Sequence, residues 1–293
     1  MLEFPVNINR KKKIHQTVMF WIARLISYII IATLFLILFF IVKRGIGVIN
    51  WEFFSTMPKE GMTEGGIFPA IVGTFYLVIG SMIVAFPIGV LSGIYVNEYA
   101  KDGNLKKFIK MMTNNLAGIP SIVFGLFGMS LFVNQLNFGA SIIAGSLTLA
   151  LLALPLIIRT TEESLKSVDQ TFRLASYALG ASKLYTIRKV VLPIAFPNII
   201  TGLILAIGRV SGETAPILFT AAAYFLPKLP HSMFDQCMAL PYHLYVISTS
   251  GTDIESSRPI AYGTAVVLIA IVLFVNLLAN FLRNYFGRKV KMK

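Results

Sequence analysis

The chain has 293 residues and a net charge of +13; 56% of its residues are hydrophobic, only 13% are charged, and its mean hydropathy is +0.75. A soluble domain has about 25% charged residues, so this composition excludes an ordinary soluble enzyme. The basic residues gather at the edges of apolar runs, which argues against a nucleic-acid partner. Cys237 is the single cysteine, which excludes an intrachain disulfide.

Long apolar runs predict an all-α membrane protein with six transmembrane helices, because about 20 apolar residues cross the hydrocarbon core of a bilayer. The predicted spans are Val18–Val42, Ile67–Val96, Leu116–Val133, Ala140–Ile158, Ala195–Thr220 and Ile260–Leu282. We expect residues 1–17 and 283–293 to be tails, residues 18–42 to be the first span, and residues 67–282 to form a core of five helices.

The distribution of basic residues predicts the orientation, because cytoplasmic loops are rich in lysine and arginine. The two tails and the loops after the second and fourth spans contain 19 basic residues, and the opposite face has five. We therefore expect both termini in the cytoplasm and a multi-pass protein of the inner or plasma membrane.

The longest predicted cytoplasmic segment is residues 160–192. Leu174, Ala178 and Leu184 recur there at helical spacing, and Gly180 interrupts the pattern, so the sequence predicts two short helices joined by a turn. Such helices in water need a partner for their apolar face. That partner is either this chain's own membrane domain or another subunit.

This segment resembles the EAA loop of ABC importer permeases, whose pattern is Glu-Ala-Ala, three residues, Gly, nine residues and Ile-x-Leu-Pro. The chain has Leu174 where the family usually has Glu, and it has Ser176 and Val190 as conservative departures. The resemblance implies a coupling helix that lies in a cleft of an ATP-binding subunit. The residues that it assigns to this coupling loop are Ala175, Ser176, Gly180, Ala181, Leu192 and Pro193.

Three more segments look like the phosphate-specific ABC permeases: Gly65–Thr74, Gly118–Gly128 and Gly208–Thr220. The run Glu213–Pro216 and the later Leu240-Pro241 with Tyr245 resemble the A-type subunit more than the C-type subunit. The resemblance implies a type I ABC importer permease core, which is MetI-like, embedded in membrane lipid. It also implies a C-type permease partner, a dimer of ATP-binding subunits and an extracytoplasmic phosphate-binding protein.

No catalytic activity or cofactor of its own is expected for this chain. It contains no Gly-x-x-x-x-Gly-Lys-Ser/Thr sequence for a P-loop, so ATP and Mg²⁺ are expected on the partner ATPase. No His-Glu-x-x-His or Cys-x-x-Cys pattern suggests a metal site. His231 and His243 are predicted to be polar residues of an external loop.

Arg209 and Glu213 are the charges deepest in a predicted span, and each is costly there. Their spacing predicts that they share one helix face. They form either an internal ion pair that neutralises itself or part of a translocation path, since an arginine suits an anion. Ser211 and Thr214 are either hydrogen-bond donors beside Arg209 or are bonded back to their own helix.

A second candidate path element is the start of the third span, where Gly118, Pro120 and Ser121 lie. Backbone N–H groups at a helix start can bind an anion. The alternative is a helix that begins at proline and packs closely at its glycines.

Two other classes of protein remain open at this point. One is a self-contained secondary transporter in which Arg209 and Glu213 form an ion-coupling pair; transport without any ATPase would identify it. The other is a membrane enzyme or assembly factor, which the lack of a nucleophile–base or metal constellation disfavours.

Overall fold

The computed structural model describes residues 10–250 and 253–291, so parts of both predicted tails lie outside the described residues. The helices are α1 (Arg10–Gly45), α2 (Trp51–Ser55), α3 (Phe68–Ile94), α4 (Asn104–Ala117), α5 (Ser121–Gly128), α6 (Ile142–Lys166), α7 (Gln170–Ala178), α8 (Lys183–Thr186), α9 (Leu192–Ser211), α10 (Ala215–Leu218), α11 (Leu240–Thr249) and α12 (Ile254–Lys291). Turns of π-helix extend α3 to Tyr99, extend α5 to Gln135, and join α8 to α9. Two strands, β1 (Pro58–Lys59) and β2 (Glu64–Gly65), pair antiparallel.

Five helical stretches in the described residues are long and apolar enough to cross a membrane. They are Lys12–Val48, Phe68–Tyr99, Ile142–Lys166, Lys183–Ser211 and Ile254–Leu278. A sixth crossing is made if the pair Asn104–Ala117 and Ser121–Gln135, bent by 99°, counts as one span. The prediction of an all-α membrane protein is confirmed.

The predicted third span, Leu116–Val133, is wrong as one continuous helix. Leu116 belongs to α4, and the crossing helix begins at Ser121. Pro120 has no backbone N–H and restricts the residue before it, so the chain turns there. Hydropathy alone does not reveal this bend, because the apolar run continues through it.

The predicted fifth span, Ala195–Thr220, is also wrong at its end. Helix α9 stops at Ser211, Gly212 follows it, and α10 begins again just before Pro216. Glu213 therefore lies outside α9, and it does not share a helix face with Arg209 as predicted.

Helix α6 lies at the centre of the bundle and packs along α3, with α9, α5 and α4 on its other sides. The axes of α3 and α6 approach closely: a Cβ atom added at Gly93 would lie 2.7 Å from Cβ of Thr161. Buried apolar side chains such as Leu77, Leu149 and Ile157 fill the space between the helices. These contacts make α3 and α6 one closely packed unit.

Helix α1 touches the rest of the chain mainly through α12. The ring of Phe40 meets that of Tyr262 edge-on at 5.9 Å, and the Arg44 guanidinium lies 4.3 Å from the centre of the Phe40 ring. Most other apolar side chains of α1 are exposed in the single chain.

The bundle has two distinct ends. Residues 46–67 and 212–250 form one, which we call the α11 end; there Leu240 donates its N–H to Thr74 Oγ1 at 2.9 Å. Residues 167–191, between α6 and α9, lie at the other end, and we call them the EAA-like segment. Residues 160–166 of the predicted loop are the last turns of α6.

Candidate coupling and translocation sites

The EAA-like segment forms two short helices, α7 and α8, as its sequence predicts. Gly180 has a left-handed φ of +82° and ends α7. Its N–H donates to the carbonyl of Tyr177 at 2.9 Å, and the N–H of Ala181 donates to that of Ser176 at 3.2 Å. This pair of bonds is a Schellman motif, in which glycine is the preferred left-handed residue. The turn therefore sets the direction in which α8 leaves α7.

One face of the EAA-like segment presents large apolar side chains to solvent. Leu179 is 89% exposed, and Leu174 and Leu184 are about two-thirds exposed. Ala175, Gly180 and Ala181 line a groove between the two helices. Large exposed apolar side chains beside a groove make this segment a candidate interaction surface.

Other side chains of the segment are buried against the rest of the chain, among them Arg173, Ile187 and Val191. The hydroxyls of Ser176 and Thr186 are buried and lie 2.8 Å apart, which joins α7 to α8. Leu192 and Pro193 are the first residues of α9 and lie outside the groove. Part of the segment thus packs on this chain's own bundle, and part of it is left exposed.

The sequence analysis assigns no role to Arg173. In the structure Arg173 is buried, and its Nη2 lies 2.8 Å from Oε1 of Glu98 at the end of α3. A separation of 75 residues leaves no local sequence signal for this ion pair.

Arg209 and Glu213 meet across the break that follows α9. Nε of Arg209 lies 3.6 Å from Oε1 of Glu213, and the two side chains are 39% and 17% exposed in the single chain. Arg209 is in the last turn of its helix, where a cation interacts favourably with the helix dipole. The contact is long for a charge-assisted hydrogen bond, so the guanidinium is oriented loosely by this carboxylate.

The predicted neighbours of Arg209 behave differently from one another. The Ser211 hydroxyl is bonded back to its own helix, donating to the carbonyl of Ile207 at 2.7 Å. Thr214 is half-buried just before α10. Ser211 therefore does not present its hydroxyl proton to a ligand.

The start of α5 lies in the same region as α10. A Cβ atom on Gly125, one turn beyond Ser121, would lie 2.9 Å from the carbonyl oxygen of Ala215. The N–H of Gly118 is bonded to the carbonyl of Asn115, and Pro120 has no N–H to offer. Of the predicted anion-binding donors, Ser121 is the one at the first position of the helix.

The α11 end contains two buried titratable side chains, those of His243 and Cys237. His243 is in helix α11 and is 1% exposed, whereas we expected a polar loop residue. Burial lowers the pKa of His243 to about 4 and raises the pKa of the Cys237 thiol to about 12, because both charged forms lose hydration. Among residues 10–250 and 253–291, no group of three or more His, Cys, Asp or Glu side chains is arranged to hold a metal ion.

These features define a membrane permease of the ABC importer class: residues 85–292 match the family described as binding-protein-dependent transport system inner membrane component, and the chain belongs to that family. It is 35% identical over 273 residues to the probable ABC transporter permease protein YqgI of Bacillus subtilis, covering 89% of this chain and 92% of that protein. It is 35% identical to the phosphate transport system permease protein PstA of Mycobacterium leprae, over 93% of this chain and 89% of the relative. PstA of Haemophilus influenzae is 32% identical, over 95% and 96% of the two chains.

Solved structures agree with this fold. A bacterial ABC transporter involved in the import of the acidic polysaccharide alginate superposes with a TM-score of 0.66 at 15% identity, covering 94% of this chain and 99% of that chain. The inward-facing MetNI methionine ABC transporter gives a TM-score of 0.57 at 17% identity, covering 75% and 94% of the two chains. The MetI-like permease fold is therefore shown, and as a permease the chain is a transport subunit rather than an enzyme.

Proposed function

We propose that this chain is the A-type permease subunit of an ATP-driven importer of inorganic phosphate. The observation that supports the proposal best is one continuous helical stretch, Lys183–Ser211, which starts in the EAA-like segment and ends beside Arg209. At 1.5 Å per residue it is about 44 Å long. A displacement at the exposed apolar groove therefore reaches the charged pair through a single rod.

The EAA-like segment is the docking site of an ATP-binding subunit in this proposal. Leu179 and Leu184 would enter a cleft of that subunit, since their exposure at a non-spanning end leaves them in need of a cover. ATP and Mg²⁺ belong to this partner. Leu174 replaces the usual acidic residue of the motif, so an apolar contact takes the place of a carboxylate contact there.

The translocation path runs past Arg209, with Glu213 beside it. The guanidinium attracts an anion, and its long contact to Glu213 lets an oxyanion approach from the exposed side. Thr214, Gly118, Pro120 and Ser121 line the same path in this proposal, and Ser211 holds the last turn of α9 in place. The phosphate substrate rests on the names of the relatives that the chain resembles, because the pair itself is neutral overall.

The remaining partners follow from the two ends of the bundle. A C-type permease covers the exposed sides of α1 and α5, and an extracytoplasmic phosphate-binding protein docks on the α11 end. Both termini and the EAA-like segment lie in the cytoplasm, as the distribution of basic residues favours.

Reconstitution tests this proposal. The complex is purified through a tag on this chain, placed in vesicles with ATP inside, and given radioactive inorganic phosphate and the phosphate-binding protein outside. We expect uptake that requires ATP and the binding protein, and that unlabelled sulfate does not suppress. Uptake driven by an ion gradient without ATP would instead identify a secondary transporter and overturn the proposal.

A further inference from the structure

A buried ion pair connects the EAA-like segment to the bundle away from its covalent connections. Arg173 of α7 and Glu98 at the end of α3 are 8% and 7% exposed, and their closest nitrogen and oxygen are 2.8 Å apart. Burying two charges costs desolvation energy that their attraction only partly offsets, so a buried pair is weak evidence for stability. Its contribution therefore lies in the relative position that it imposes on α7 and α3.

The guanidinium of Arg173 joins three helices. Its Nη1 donates to the carbonyl of Val168 at 2.8 Å, and its Nη2 donates to that of Leu165, in the last turns of α6, at 2.9 Å. A cation that satisfies carbonyls at a helix C-terminus is favourably placed. On the other side, Asn97 donates to the same Glu98 oxygen at 2.8 Å, so the carboxylate is held from both directions.

Helix α8 is connected to the same place. The ammonium of Lys183, its first residue, lies 4.9 Å from the centre of the Tyr99 ring, next to Glu98 in sequence. Such a cation–π contact is favourable. Both helices of the EAA-like segment thus meet the π-helical turn that ends α3.

We propose that Glu98 and Arg173 are positioning residues that pass the displacement of the EAA-like segment to α3 and α6. The covalent connections of the segment lead to α6 and α9, whereas the ion pair adds a direct connection to α3, which packs closely against α6. This inference rests on the proposed function, because it assumes an ATPase that displaces the segment.

The test compares ATP consumption with transport. In the reconstituted complex, Glu98→Gln removes the charge of the carboxylate and keeps its shape. We expect the complex to assemble and to hydrolyse ATP, and the number of ATP molecules used per phosphate taken up to rise about 2- to 30-fold. Glu98→Asp retracts the carboxylate by one methylene; it should raise the same ratio less and serves if the glutamine variant fails to assemble.

The matched control is Glu162→Gln. Glu162 of α6 lies 2.6 Å from both Lys110 and Lys166, and its side chain is 12% exposed; these ion pairs, in the described part of the chain, involve α4 and α6 and not α7 or α8. We expect this variant to lower the melting temperature of the complex and leave the ratio unchanged.

Three results would overturn the inference: an unchanged ratio in both Glu98 variants, an equal rise in the Glu162 control, or loss of assembly in both Glu98 variants, which would make the pair a structural anchor. Failure of the proposed function is recognised separately. In that case the wild-type complex itself shows no ATP-dependent phosphate uptake, before any variant is compared.

Discussion

Replacing Gly180 with alanine is expected to weaken docking of the ATP-binding subunit without unfolding the permease. The φ of +82° is the reason, since an added Cβ would meet no atom within 4 Å and the cost is conformational. A left-handed alanine costs about 1–2 kcal/mol. Relaxation to a right-handed turn avoids that cost but breaks the two hydrogen bonds that end α7 and redirects α8.

The size of the effect follows from this competition. If, in the alanine variant, the relaxed turn is more stable than the native turn by about 1–2 kcal/mol, the fraction of molecules with the native groove falls, and the apparent Kd for the ATP-binding subunit rises about 5- to 30-fold. Asparagine tolerates the left-handed region better than alanine, so Gly180→Asn should raise the Kd less.

The assay is equilibrium binding of the ATP-binding subunit to this chain purified together with its proposed C-type permease partner. Gly139→Ala is the matched control, because Gly139 also has a positive φ, +65°, with no atom within 4 Å of its added Cβ, but it lies between α5 and α6 at the other end of α6. An unchanged Kd for Gly180→Ala, or an equal rise for Gly139→Ala, would refute the reasoning.

Three further predictions address the path, the orientation and the α11 end. Arg209→Gln should reduce phosphate uptake by the assembled complex about 10-fold or more, the loss expected for one hydrogen bond to a charged group, and Glu213→Gln should reduce it less; equal uptake by wild type and Arg209→Gln would make the pair purely structural. Native Cys237 should resist a membrane-impermeant thiol reagent, because it is 1% exposed and its pKa is raised to about 12 by burial. In a Cys237→Ala background, Lys228→Cys should react from outside intact cells and Leu179→Cys should react only after lysis. The reverse pattern would show that the topology is inverted. The folded-state pKa of His243 is about 4, below its ordinary value of 6.5, so below pH 6.5 the unfolded chain binds a proton that the folded chain excludes. The free energy of unfolding therefore falls as the pH drops from 6.5 towards 4, by about 2 kcal/mol at pH 5. Melting curves of the solubilised protein at pH 7 and pH 5 should show this loss in wild type and a smaller one in His243→Leu, and equal losses would contradict the prediction.

Local signals in the sequence predicted much of the fold. Apolar run length predicts the membrane helices, and Gly180 predicts the turn between α7 and α8, because each depends on a few adjacent residues. The sequence indicated that the third span starts near Pro120, but not the 99° bend between α4 and α5, and it missed the break at Gly212, since hydropathy stays high across both. To predict such helix breaks, one has to know which other helices pack against the chain at that point.

In the candidate sites, too, local sequence signals predicted some features and missed those that depend on long-range packing. Arg209 and Glu213 are visible in the sequence because charges are rare in apolar runs, and their contact survives although Glu213 leaves the helix. The pairing of Arg173 with Glu98 depends on how α7 folds back on α3, and the burial of His243 depends on how α11 packs on α12. Long-range packing of this kind has no local pattern.

The bend between α4 and α5 has a consequence for the bilayer. The straight part of that span, Ser121–Gln135, contains 15 residues and is about 22 Å long, whereas the hydrocarbon core is about 30 Å thick. The bend at residues 118–120 would then lie below the level of the lipid headgroups, where polar backbone must be shielded from acyl chains. In the proposed complex, a second permease that covers this bend would also shield the polar backbone of residues 118–120 from the acyl chains.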